Sequence, residues 1–280
     1  MLEFDIIVHG LFRADQLVIC YDPTAHMSVS SQTQAWMDEY WQEQLLKARQ
    51  RNTRLFDAPL FRYIDAGVSP DQYLHIVLGD TSYKEYVTTR TAAFAQRRAR
   101  HDLGNPLAVC SVVETSDGYI LLDKRQGVDV YVGRYHVIGG FFERALDSVN
   151  AENTDRTNTN IQPDPFAAMR REIREETGIQ GADISKQYCL GIVYDLITPH
   201  AEMCFLTRLH ISLQEVWQRQ PEDNEIKQLI PLFVTPESLR DFILEHHGNI
   251  SATGEPDLLF YGGWKFGQEW LTELMAQIQA

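Results

Sequence analysis

Three glutamates, Glu172, Glu175 and Glu176, stand within the run Arg171-Glu172-Ile173-Arg174-Glu175-Glu176-Thr177-Gly178-Ile179. Their spacing is i, i+3 and i+4. At about 100° per residue, a helix gathers them within an arc of about 100° on one face. Like charges so close repel, and the three form no carboxylate–cation pair among themselves. A hard divalent cation relieves that repulsion. Carboxylate oxygens suit Mg²⁺ or Mn²⁺, and Mg²⁺ is commonly shared between protein carboxylates and substrate phosphates. Cations held there invert the local field, polarise phosphoryl oxygens and lower the pKa of a bound water. A carboxylate can then act as general base. Glu175 and Glu176 are read as ligands first and as base second. The plainer alternative is a solvated, charged face paired with Arg170, Arg171 and Arg174.

The elements that must present this face are legible around it. A helix is predicted over 165–177, with Asp164 as N-cap, Pro165 as first helical residue and Gly178 as the C-terminal stop. Upstream, 107–113, 119–124 and 135–138 read as strands, with a hairpin turn at 115–118. The polar, turn-rich stretch 146–164 reads as an exposed loop or insertion. Downstream, 189–198, 201–211 and 229–234 read as strands, and 236–246 and 266–278 as helices. Tyr261-Gly262-Gly263-Trp264 reads as a turn with a packed aromatic, and His246-His247 as a solvated helix end. In the N-terminal part, 3–8 and 16–21 read as a strand pair. Residues 35–50 form an amphipathic helix, since Trp36, Met37, Tyr40, Trp41 and Leu45 recur at helical spacing. Strands follow at 60–64 and 73–78, then mixed helix and loop over 81–98. The polar, Gly- and Pro-containing stretch 101–106 is the boundary candidate. It divides an N-terminal α/β region, 1–103, from a second region, 104–280.

Composition narrows the function classes. The chain has 280 residues, 39 acidic against 25 basic, and a net charge of −14. With 44% apolar residues, 5 Trp, 12 Tyr and 13 Phe, it is not of a disordered class. The acid surplus has the wrong sign for a nonspecific nucleic-acid binder. No apolar run reaches the roughly 18 residues of a membrane span. The first ten residues lack the basic start and apolar run of a signal peptide. Cys20, Cys110, Cys189 and Cys204 show no CxxC pair, so buried free thiols in a reducing cytoplasm are expected. The oligomeric state is left open.

The run at 171–179 matches R-E-U-x-E-E-x-G-U, with U aliphatic, at Arg171, Glu172, Ile173, Glu175, Glu176, Gly178 and Ile179. It resembles the second half of the Nudix box of the Nudix hydrolase superfamily. The predicted strand ending in Gly139-Gly140 resembles the start of the Nudix loop. The resemblance implies an α+β fold: the family's α/β/α sandwich with a mixed sheet, plus the smaller N-terminal α/β region. The first half of the box departs from the family form G-x5-E-x7-R. Counted back from Arg171, Pro163 stands where the family has Glu, and Thr157 where it has Gly. With Gly140 as loop glycine, the stretch to Arg171 is about 17 residues longer than the family's, an insertion placed at about 145–163. In the family the missing glutamate supports the loop and in some members the metal site. Glu143 and Asp164 are the candidate substitutes.

Further runs resemble one branch, the atypical UDP-glucose/UDP-galactose pyrophosphatases. These are Arg54-Leu55-Phe56-Asp57-Ala58-Pro59-Leu60-Phe61-Arg62, the stretch Leu78-Gly79-Asp80-Thr81-Ser82-Tyr83-Lys84-Glu85-Tyr86, Asn105-Pro106-Leu107, and Leu190-Gly191-Ile192 leading into Ala201-Glu202-Met203-Cys204-Phe205. That branch also carries a long insertion after its Gly-Gly. The resemblance implies hydrolysis of UDP-glucose to UMP and glucose 1-phosphate, with Mg²⁺, or Mn²⁺ as a substitute, held by Glu172, Glu175 and Glu176. Catalytic candidates are Glu175, Glu176 and Arg171, the last orienting a neighbouring glutamate. Substrate-binding candidates are Gly140, Arg125, Tyr83 and Glu202. Arg134 is a second phosphate candidate. Glu222, Asp223 and Glu225 are an alternative source of base. The substrate alternatives are ADP-ribose, an ADP-sugar or a dinucleotide, and a non-catalytic nucleotide-binding module is the alternative of another class.

Overall fold

The computed structural model describes residues 2–96, 98–126, 130–150, 161–222 and 228–279. In chain order it contains β1 (Phe4–Phe12), β2 (Leu17–Tyr21), α1 (Ser31–Gln50), β3 (Pro59–Val68), β4 (Leu74–Ser82), α2 (Tyr83–Thr89) and α3 (Ala92–Ala95). Then come β5 (Leu107–Glu114), β6 (Tyr119–Lys124), β7 (Tyr135–His136), β8 (Ile138–Phe141), β9 (Ser148–Asn150), β10 (Ile161–Pro163) and α4 (Pro165–Thr177). The chain continues with β11 (Ile184–Asp195), β12 (His200–Leu209), α5 (Leu213–Val216), β13 (Leu229–Phe233), α6 (Pro236–His246), α7 (Gly254–Phe266) and α8 (Gln268–Gln279).

The fold is α+β with mixed sheets. Among the described residues, the large sheet runs β1-β11-β12-β5-β6-β13, with β7 on β6 and β8 on β5. The β12–β5 pairing is parallel, whereas β1–β11, β11–β12 and β5–β8 are antiparallel. A smaller sheet, β2-β4-β3, stands beside it. Alternation along the central strands explains their continuous apolar reading. Val109 and Val113 of β5, with Met203 and Phe205 of β12, face α4 through Phe166, Met169 and Ile173. Cys110, Val112, Cys204 and Leu206 point the other way, onto Leu239 and Ile243 of α6 and Leu258 and Leu259 of α7. Both faces are covered, so the strands show no polar side. The result is a sheet between two helical layers.

The first two strands do not pair with each other, contrary to the hairpin expectation. β1 joins β11 at the edge of the large sheet, and β2 runs parallel to β4 in the smaller one. Val8 and Phe12 therefore share a core with Phe61, Leu74 and Val109, which is continuous across the proposed 103/104 division. The expected turn at 261–264 is helical: Tyr261 to Trp264 lie inside α7. Its glycines serve packing, since a Cβ on Gly262 would sit 2.1 Å from the Trp270 ring of α8. The 246–247 helix end is not simply solvated. His246 packs on Tyr135, and His247 Nδ1 lies 2.6 Å from Glu255. Cys20 is exposed, because its edge strand shows that side to solvent; the other three thiols are buried and free as expected. No helix among the described residues is long and apolar enough to cross a membrane.

Candidate functional site

Helix α4 forms with the caps its sequence carries. Asp164 accepts from Ala167 N–H at 2.9 Å, Pro165 starts the helix, and Gly178 closes it in the left-handed region at φ 75°. The apolar side, with Ile173, enters the core, which turns the glutamates toward β8. There the Gly139-Gly140 pair meets them. Gly139 N–H donates to Glu176 Oε2 at 3.1 Å. A Cβ on Gly140 would lie 2.5 Å from Glu172 Oε1, and one on Gly139 would lie 2.4 Å from Val109 O. Only glycine lets the strand pass between β5 and these carboxylates.

Arg171 ties the glutamates to the loop. Its Nη1 contacts Glu172 Oε1 at 2.9 Å and Glu175 Oε2 at 3.0 Å. Its Nε and Nη2 donate to the two oxygens of Asp147, each at 2.7 Å, and Nη2 also donates to Phe141 O. Burial opposes the guanidinium charge, but the Asp147 hydrogen bonds and the Glu172 and Glu175 carboxylates outweigh it and raise the Arg171 pKa. Asp147 is only 3% exposed and also accepts from Glu143 N–H at 2.8 Å.

Asp147 is the residue that sequence reasoning missed. For the loop-supporting glutamate that the family has at the position of Pro163, the expected substitutes are Glu143 and Asp164. Asp164 is the helix cap, and the bidentate partner of Arg171 is Asp147. Counting forward from Gly140 leads to its neighbourhood, because the loop up to that point has the family's spacing within one residue. The insertion leaves and rejoins at one place: Asp164 N–H donates to Asp147 O at 3.0 Å, and β9 pairs with β10 just outside that link. The described ends of the insertion thereby pair with each other without disturbing the loop. The middle of the expected exposed loop, 151–160, lies outside the described residues.

The opposite side of Gly139-Gly140 opens into a pocket. It is lined by three of the expected substrate residues, Gly140, Arg125 and Glu202, together with Tyr86, Phe141, His136, His200 and Ser251. Tyr83 stands behind that wall, with its ring 5.7 Å from Phe141 and 6.1 Å from Tyr86. Arg134 is engaged elsewhere, with Glu3. Glu222 pairs with Arg174 at 3.0 Å, while Asp223 and Glu225 lie outside the described residues.

The pocket floor is a buried carboxylate between two imidazoles. Glu202 Oε2 is 3.4 Å from His200 Nε2, and Oε1 is 3.8 Å from His136 Nε2. Burial disfavours charge on His200, but Tyr86, Glu202 and Asp195 outweigh it and raise the pKa to about 10. Burial and the nearby Arg125 charge push His136 down to about 3. Burial alone would raise Glu202, yet His200, His136 and the Thr253 hydroxyl hold it down at about 2. The floor is thus an ion pair with one neutral imidazole beside it. The histidines carried no signal of this in the sequence, because they come together only through strand pairing.

The carboxylates on α4 are hard oxygen donors of the type that suits Mg²⁺ or Mn²⁺. They are not gathered around one point, however. Glu175 is turned toward Arg171 and Arg174, whereas Glu172 and Glu176 lean on the glycine pair. Among the described residues, no three His, Cys, Asp or Glu side chains converge as a metal-binding group.

No family model matches the sequence. The chain is similar to Nudix hydrolase 9 of Arabidopsis thaliana, 29% identical over 168 residues, covering 51% of this chain and 54% of that protein. It therefore spans about half the length of the curated relative. This similarity supports the Nudix superfamily resemblance read from the box. Among solved structures, the MutT protein from Methanosarcina mazei Go1 aligns at 16% identity and TM-score 0.35, over 57% of this chain and 94% of that one. A Nudix hydrolase from Nitrosomonas europaea aligns at 16% identity and TM-score 0.38, over 57% of this chain and 90% of that one.

Proposed function

We propose that this protein is a Nudix-type, metal-dependent hydrolase of nucleoside diphosphate sugars, acting on UDP-glucose or UDP-galactose to give UMP and hexose 1-phosphate. The observation that carries the reading is the glycine pair with a carboxylate face on one side and a polar pocket on the other. A diphosphate bound at Gly139-Gly140 has the α4 glutamates on one side and room for its attached group on the other. The UDP-sugar preference rests on the branch-like runs of the N-terminal region, one of which supplies Tyr86 to the pocket wall.

In this reading Glu172, Glu175 and Glu176 hold Mg²⁺, or Mn²⁺ in its place. Glu175 would have to exchange its arginine contacts for that role. The cation supplies charge neutralisation for a diphosphate that a −14 protein otherwise repels. Arg171, fixed by Asp147, keeps Glu172 in register, and Gly139 N–H orients Glu176. Water adds to one phosphorus, the bridging P–O bond breaks, and Glu175 or Glu176 accepts the proton of the attacking water. The three buried free thiols suit a reducing, cytoplasmic setting.

The test is a substrate panel with the purified protein and Mg²⁺ or Mn²⁺, read by ³¹P NMR. UMP and hexose 1-phosphate should form from UDP-glucose or UDP-galactose faster than products form from ADP-ribose or a dinucleotide. Intact UDP-sugars beside hydrolysed ADP-ribose would reassign the substrate. No metal-dependent turnover of any diphosphate would leave a binding module.

A further inference from the structure

The pocket behind the glycine pair has a chemistry of its own. Ser251 Oγ accepts from Gly254 N–H at 3.1 Å and lies 2.6 Å from His136 Nδ1. With the Ser251 hydroxyl donating to Nδ1, a neutral His136 carries its proton on Nε2. That Nε2–H faces Glu202 Oε1 across 3.8 Å, beyond hydrogen-bond reach. His200 Nδ1 is taken up by Thr198 O, so its Nε2–H also points to Glu202. The floor therefore offers a fixed carboxylate acceptor and an imidazole donor separated by a gap that one hydroxyl group bridges. Tyr86 and Phe141, with ring centroids 5.2 Å apart, form an apolar wall beside it. The cavity measures about 70 Å³, several times the room one water needs. A ring hydroxyl placed in that gap can accept from His136 Nε2 and donate to Glu202, whose charge His200 and the Thr253 hydroxyl already hold in place.

We propose that this pocket recognises the hydroxylated ring attached to the diphosphate, with Glu202 accepting from a ring hydroxyl, His136 Nε2–H donating to one, and Tyr86 and Phe141 covering an apolar face of the ring. Glu202 and His136 are then specificity residues, distinct from the α4 face. The inference rests on the diphosphate being held at Gly139-Gly140 and adds which groups choose its substituent. A site built around a hydroxyl rejects the analogue lacking it, because its own buried polar groups are left unpaired.

The first experiment uses the unaltered protein and nucleoside diphosphate hexoses lacking single ring hydroxyls. At least one deoxy substrate should lose about tenfold or more in kcat/KM. Equal turnover of the whole series overturns the proposal. The second compares Glu202→Gln with the unaltered protein on UDP-glucose and on a nucleoside triphosphate, which has no ring beyond its phosphates. The kcat/KM ratio between the two should fall by about tenfold, through KM for the sugar substrate. An equal loss on both substrates marks Glu202 as structural and overturns the assignment. If no diphosphate is hydrolysed at all, the proposed function fails on its own account. Calorimetric binding of UDP-glucose then decides the pocket: binding weakened about tenfold by Glu202→Gln supports it, and unchanged or undetectable binding overturns it.

Discussion

The two sides of the Gly139-Gly140 pair hold carboxylates in opposite ways. On the α4 side, Glu172 and Glu175 share Arg171 with Asp147, at the edge of solvent. On the pocket side, Glu202 is buried between two imidazoles. A guanidinium stays charged at every pH a protein survives, so the α4 side keeps its electrostatics across the working range. On the pocket side His200 keeps its proton up to about 10 and His136 stays neutral down to about 3, so the floor presents one charged and one neutral imidazole to the carboxylate. One side is built for constant charge and the other for a defined pattern of donors and acceptors. The physical difference suits phosphate chemistry on the first and recognition of neutral polar groups on the second.

The sharpest way to break this division is Glu176→Gln. The amide oxygen can still accept from Gly139 N–H, so the fold should be kept, while the ligand charge is lost. Metal-dependent turnover should fall by about 10²–10³-fold, with a melting temperature close to that of the unaltered protein. Retained turnover would remove the α4 face from the chemistry.

Asp147→Asn tests whether the loop depends on its arginine. It leaves the largely buried Arg171 guanidinium without its bidentate partner, and the loss should be about 3 kcal/mol of unfolding free energy by urea titration. Glu172 and Glu175 remain to compensate in part. A change below about 0.5 kcal/mol would mean that Arg171 is held by the glutamates alone.

The pocket side should reveal itself in the pH dependence of stability. His200, raised from 6.5 to about 10, contributes stability that is complete below 6.5 and is lost as pH rises through about 10. His136, lowered to about 3, works in the other direction. The unfolded chain takes up a proton near 6.5 and the native state does not, so stability falls as pH drops from 6.5 toward 3. Glu202, lowered from 4.5 to about 2, adds a loss as pH falls through that interval. Urea midpoints measured from pH 4 to 10 should peak near neutrality. His200→Gln should flatten the alkaline limb and His136→Gln the acid limb. Limbs unchanged in both variants would place the titrating groups elsewhere.

The smallest effect belongs to the helix cap. Asp164→Ala removes one acceptor for Ala167 N–H and should cost about 1 kcal/mol. A loss well above that would show that the Asp164 carboxylate also matters through its pairing with Arg170.

Much of the α4 side was legible in the chain. The caps at Asp164, Pro165 and Gly178, the helix between them and the single carboxylate face follow from short-range spacing, which a local segment encodes by itself. The strands from residue 107 onward were legible for the same reason, since their two buried faces leave long apolar runs. Where reading failed, the deciding partner was distant. The β1 and β2 segments look like a hairpin locally but pair with β11 and β4. The glycines at 262 and 263 look like a turn until Trp270 and Leu271 are set against them.

The amino-acid sequence alone determined where the carboxylates stand on their helix, the glycine pair that precedes them and an insertion between the two. The tertiary structure decided that Asp147 is the bidentate partner of Arg171, because the insertion's ends close on each other and return the loop to Arg171. It also decided that His136, His200 and Glu202 share one floor, because strand register across the sheet, and not sequence distance, sets which side chains meet.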